Sequence, residues 1–93
     1  MRLDIYLKLS RLITRRTLAK EFADAGLIKV NGSTAKSSKE ISPGDKIEIT
    51  RYPRILTVEV LALPQAKQIS KKDAGFLYRV TSETAMPDPL DLP

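Results

Sequence analysis

The chain contains no cysteine and no histidine among its 93 residues. Without cysteine there is no disulfide framework and no thiolate zinc site, which fits a reducing compartment. Without histidine the usual general base and the commonest metal ligand are missing. No Ser-His-Asp or Cys-His constellation can form, and the carboxylates lack the spacing of an EF-hand loop. The four glycines form neither a GxGxxG nor a Walker loop. Nothing in the residues points to catalysis, a cofactor or a small-molecule substrate. Aromatics are scarce: three tyrosines, two phenylalanines and no tryptophan. A single-strand RNA platform stacks bases on such side chains, whereas Tyr6 and Phe22 fall at core-type spacing. No apolar run approaches the roughly 20 residues of a membrane-spanning helix. The opening MRLDIYLKLS has no continuous apolar core and no small-residue cleavage site, so it does not read as a secretory signal. A membrane partner is not expected, and the expected location is the cytoplasm.

What the chain does have is positive charge in one half. The formal net charge is +5. Residues 1–54 hold twelve Lys/Arg against six Asp/Glu, while residues 55–93 hold four against five. Within residues 1–20 the balance is six basic to one acidic. Such a concentration suggests a polyanionic partner, with RNA, DNA and anionic lipid all open on charge alone.

The apolar pattern gives the framework. Leu3, Tyr6 and Leu7 recur at i, i+3 and i+4 and predict a first helix over residues 3–9, with Asp4 near its start. Thr14 is the expected N-cap of a second helix. Leu18, Phe22 and Ala25, helped by Ala19, are its expected buried stripe, and Gly26 is its expected C′ glycine. The period then changes. LIKV, residues 27–30, is β-rich, Asn31-Gly32 signals a tight turn, and residues 34–36 are expected to return. SPGD is a turn before KIEIT, which alternates with Ile47 and Ile49 on one face. RYPR, residues 51–54, reads as a basic turn, and ILTVEV alternates again. The expected class is α+β: two packed N-terminal helices against a small, bent antiparallel sheet. Residues 1–64 form the expected domain. Residues 65–82 are a connection, with one helical turn and an extra strand at Phe76–Val80 as its expected content. Residues 83–93 form an acidic, proline-rich tail expected to be disordered.

The basic residues fall awkwardly. Arg15 and Arg16 open the second helix, where the helix dipole disfavours cations, and Lys20 shares a face with Arg16. Such local conflicts mark functional positions. Together with Arg2, Lys8, Arg11 and Lys36 they can line one rim around the start of the second helix. Its unpaired N–H groups and the arginine forks together suit phosphate. Asp4, an acid in a basic rim, is expected to cap the first helix or orient Arg2 or Arg16. Lys29, Lys39 and Lys46 read as solvated strand positions. Two helices joined by a turn also suggest a helix-turn-helix DNA-binding regulator, but residues 2–26 contain no Asn or Gln to read adenine. A backbone and shape reader remains, which suits folded RNA.

These residues carry a family resemblance. RLDIYLKLSRLITRRTLAKEFADAGLIKVNG, then Lys36 and ISPGDKIEI, resembles the S-four RNA-binding domain over residues 2 to about 61. The resemblance implies a helix pair against a small bent sheet (the alpha-L motif), with Arg2, Arg11, Arg15, Arg16, Lys20 and Lys36 on an RNA face. Many members attach this domain to an enzyme, for which this chain has no room. It is most similar to the free-standing bacterial members, those of ribosome-associated quality control first and those of heat-shock type second. The first group implies binding to the large ribosomal subunit at 23S rRNA and P-site tRNA, and aid to a tailing factor that extends stalled chains. The second implies recycling of stalled large subunits, but its members carry a longer basic C-terminal extension where this chain is acidic.

Overall fold

The computed structural model describes residues 1–65 and 69–85. The first helix, α1, spans Leu3–Leu9 and buries Leu3, Tyr6 and Leu7. Its opening N–H groups all have partners. Leu3 donates to the Lys39 carbonyl at 2.8 Å, Asp4 to the Ser37 carbonyl at 3.1 Å, and Ile5 to Asp4 Oδ1 at 2.9 Å. Tyr6 fixes the helix from the other side, its buried hydroxyl donating to the Leu77 carbonyl at 2.6 Å. Burial first, and Tyr78 second, push the Tyr6 hydroxyl well above its ordinary pKa. The stability this raised pKa contributes is therefore complete below about pH 10 and is lost as pH climbs beyond it.

The second helix, α2, spans Arg16–Asp24. Its buried residues are Ala19 and Ala23, with Leu18 and Phe22 half-buried at the flanks and Ala25 exposed. The expected stripe is thus rotated: two small residues four apart face inward, and the larger ones cover the edges. The helix ends as a full Schellman motif. Gly26 at φ 76° donates to the Ala23 carbonyl and Leu27 to the Phe22 carbonyl.

The sheet has five antiparallel strands in the order β2-β1-β3-β4-β5. They are β1 (Ile28–Val30), β2 (Ser33–Thr34), β3 (Lys46–Arg51), β4 (Arg54–Val60) and β5 (Tyr78–Ala85). Asn31 at φ 52° and Gly32 at φ 87° make the two-residue β1–β2 turn, as a hairpin with two left-handed positions requires. Asn31 does more than turn: its Oδ1 accepts from the Lys46 backbone and its Nδ2 donates to Asp45. The β2 strand stops at Thr34, so Lys36 lies in the loop behind it and not on the returning strand. In the β3–β4 hairpin Arg51 pairs with Arg54, leaving only Tyr52 and Pro53 in the loop. A register slip between Thr57 and Val58 marks a bulge, a local source of bend.

The helices lie on the sheet face that carries Ile28, Val30, Ile47, Ile49, Val58 and Val60, forming the core with Leu3, Tyr6, Leu7 and Ile13. This is the α+β arrangement expected from the pattern. Leu77 joins the core too. The connection contains one short helix, α3 (Lys71–Ala74), capped by Ser70 Oγ, which accepts from the Asp73 N–H at 3.1 Å. Residues 83–85 are the end of β5, not tail. The remainder of the acidic tail, 86–93, lies outside the described residues.

Candidate nucleic-acid interface

Asp4 brings two of the basic residues together, Arg2 and Arg16. Its side chain is fully buried, and its Oδ2 accepts from Arg16 Nε at 3.1 Å. Arg2 approaches the same carboxylate, with Nη2 3.5 Å from Oδ2 and Nε 3.3 Å from Oδ1. The latter is an ion pair without hydrogen-bond geometry, so Arg2 Nε stays buried and unbonded. The two arginines keep 39% and 47% of their side chains exposed, so each is anchored at one side and open at the other. One buried charge thereby fixes two cations from different elements. It also satisfies Ile5 N–H in the first turn of α1. The N-cap of α1 is Arg2 and no side chain caps the helix, so Asp4 sits in its first turn, where it pairs with both arginines.

The stretch between the helices is where local rules break. α1 ends with Ser10 as C-cap, and Arg11 follows at φ 62°, the position that Gly26 occupies after α2. A side chain in this left-handed region costs about 1–2 kcal/mol. The Arg11 guanidinium reaches the Ile69 carbonyl at 3.3 Å. The N-cap of α2 is Arg15, not Thr14, and no side chain caps the helix. Arg15 carries the extended backbone, φ −120° and ψ 128°, and its carbonyl accepts from Ala19. Thr14 sits one residue too early to serve. The first turn of α2 contains no acid, and Arg15, Arg16 and Thr17 are exposed. The start of this helix is therefore open, positive and ringed by arginine.

Lys8 and Lys20 are exposed, Lys8 in the last turn of α1 and Lys20 one turn beyond Arg16. Lys36 is also exposed, in the loop that closes α1: the Ser37 and Lys39 carbonyls of that loop receive the first α1 N–H groups. The N-terminal ammonium is held against this loop by Glu40 at 2.8 Å. That hydrogen bond and charge hold the Glu40 carboxyl below its usual range. Two basic residues outside the rim have other ties. Arg51 lies over the Phe22 ring, 5.8 Å from its centroid, and Arg54 pairs with Glu83 at 3.5 Å. The left-handed Arg11 and the uncapped Arg15 carry no sequence signal beyond what is missing, a glycine after α1 and an acid in the first turn of α2.

A profile of the S4 domain matches residues 1–47, which span α1, α2, β1, β2 and the start of β3. This chain belongs to the S4-domain family. It is similar to a protein of Streptococcus pneumoniae named RQC P-site tRNA stabilizing factor, with 50% identity over 84 residues covering 90% of this chain and 93% of that protein. A Bacillus subtilis protein of the same name is 45% identical over 83 residues, covering 89% and 94%. Among solved structures, the trimeric Heat Shock Protein 15 of Vibrio cholerae resembles this S4-domain protein with a TM-score of 0.79. That likeness comes at 28% identity and covers 88% of this chain and 82% of that one.

Proposed function

We propose that this S4-domain protein is a non-catalytic RNA-binding factor of the large ribosomal subunit in the cytoplasm. It contacts 23S rRNA and P-site tRNA on stalled nascent-chain complexes and assists the factor that tails those chains. The observation that carries the RNA-binding part is the Asp4-anchored pair, Arg2 and Arg16, beside the uncapped start of α2. Phosphate oxygens accept from arginine forks and from free helix N–H groups alike. Arg11, Arg15, Lys8, Lys20 and Lys36 extend the same positive surface. Six phosphate contacts would change affinity by about a thousandfold between 50 and 200 mM salt. The local folding cost is smaller, at a few tenths of a kcal/mol for each cation set against the helix dipole and about 1–2 kcal/mol for the left-handed Arg11. The names and near full-length match of the relatives support the P-site role.

A second reading is a heat-shock-type factor that recycles stalled large subunits. The likeness to Heat Shock Protein 15 favours it, and the lower identity and acidic C-terminus weigh against it. Ribosome co-sedimentation with crosslink mapping decides. The expected outcome is enrichment of 23S rRNA and tRNA on stalled large subunits, with crosslinks from the Arg2–Arg16 rim. Recovery of duplex DNA without rRNA or tRNA would overturn the proposal in favour of a DNA-binding regulator.

A further inference from the structure

α1 presents more apolar surface than the core uses. Leu3, Tyr6 and Leu7 enter the core cluster, whereas Ile5 stays half-buried outside it and Leu9 is buried without joining that cluster. These two, four residues apart, share a second face of the helix. With Met1 and Pro64 they line an open groove of about 530 Å³. The remaining lining residues are polar: Lys8, Arg16 and Gln65. Among the described residues no acidic side chain lines it. This volume is within the range of small-molecule sites, which join an apolar surround to a few placed polar groups.

The geometry points to this groove as the seat of one unstacked base of the bound RNA. The assignment rests on the phosphate-clamp reading above and deepens it. Arg16 belongs to both places, held by Asp4 on one side and lining the groove on the other. A phosphate on Arg16 therefore puts the adjoining nucleotide at the groove mouth. Lys8, exposed on the same groove, suits the next phosphate along. The aliphatic floor takes the face of the base, and the Gln65 amide offers a donor and an acceptor to its edge. An apolar protein side chain would gain nothing from two cations at the rim. A base flanked by phosphates needs both the apolar floor and the positive edge. This gives the protein something a pure phosphate reader lacks: preference for folded RNA with an extruded nucleotide over continuous duplex.

The test uses the full chain and two RNA hairpins of equal stem length. One carries a single bulged 2-aminopurine, and the other is fully paired. The wild type is expected to bind the bulged hairpin about tenfold tighter, equal to about 1.4 kcal/mol. The 2-aminopurine should become shielded from acrylamide quenching when bound. Ile5→Ser should bring the ratio of the two dissociation constants close to one. Gln65→Ala, at an exposed position that spares the fold, should lower it about threefold. Equal binding of the two hairpins by the wild type would overturn the groove assignment. So would a ratio untouched by both substitutions, or a photo-crosslinker at Ile5 that captures a ribosomal protein in place of a nucleotide. If any of these three appears while Arg16→Ala still weakens binding to the paired hairpin, the clamp stands and only the groove falls. If Arg16→Ala leaves paired-hairpin binding unchanged, the clamp falls and takes the groove with it.

Discussion

The two helices treat their ends in opposite ways. The start of α1 is closed, with its first three N–H groups donating to Lys39, Ser37 and Asp4, and its end is strained at Arg11. The start of α2 is open, with Arg15 as a bare N-cap, and its end is a relaxed Schellman turn at Gly26. Both departures from good helix practice therefore fall in one short stretch, residues 11–16. Both well-made ends lie elsewhere. A protein with merely poor helices would scatter such faults. Here they adjoin Arg16, which a buried carboxylate holds together with Arg2. The difference teaches that local stability is given up at this junction and kept at the far ends, as expected where a site is built from helix termini.

Substitutions can break or sharpen this contrast. The largest effect is expected from Asp4→Ala, which opens the closed start of α1. It removes the Ile5 N–H acceptor and releases Arg2 and Arg16, at a cost of about 2–3 kcal/mol. Thermal melting should show a fall of roughly 10–20 °C, together with weaker RNA binding. Next is Gly26→Ala, which gives α2 the strained ending of α1. Nothing lies within 4 Å of the added Cβ, so the cost is conformational alone, about 1 kcal/mol by urea denaturation. RNA affinity should be unchanged. Arg15→Ser does the reverse and gives α2 the cap it lacks. Stability should rise by about 0.5–1 kcal/mol while RNA binding weakens. The smallest change is Arg11→Gly, which relaxes the end of α1. The relieved backbone is partly offset by a freer unfolded chain, for a gain of about 0.5 kcal/mol. RNA affinity should again fall, read in the same binding assay.

Much of this was legible in the residues. The spacing of Leu3, Tyr6 and Leu7 marks α1 over its observed length, and the Asn31-Gly32 and Gly26 turns are backbone demands that only a few residue types meet. Other features were hidden for physical reasons. The α2 stripe misleads because side-chain size suggests Leu18 and Phe22, whereas close packing takes Ala19 and Ala23 inward. Thr14 looks like a cap because capping is read from residue type, and here the cap is simply not made. The length of β5 was not legible either. Seven of its eight residues are exposed, so it has no buried face to impose alternation. The rim at Asp4 was only half visible. Sequence supplied the charges, their misfit and Asp4 as a partner for Arg2 or Arg16, but not that one fully buried carboxylate would hold both.

The central claim is that residues 11–16 trade folding stability for phosphate binding. The most direct measurement is the salt dependence of RNA affinity for the double variant Arg11→Gly/Arg15→Ser, alongside its urea midpoint. The account predicts a more stable protein whose plot of log affinity against log salt is flatter by about two units. A variant that gains stability and keeps the wild-type slope would contradict it.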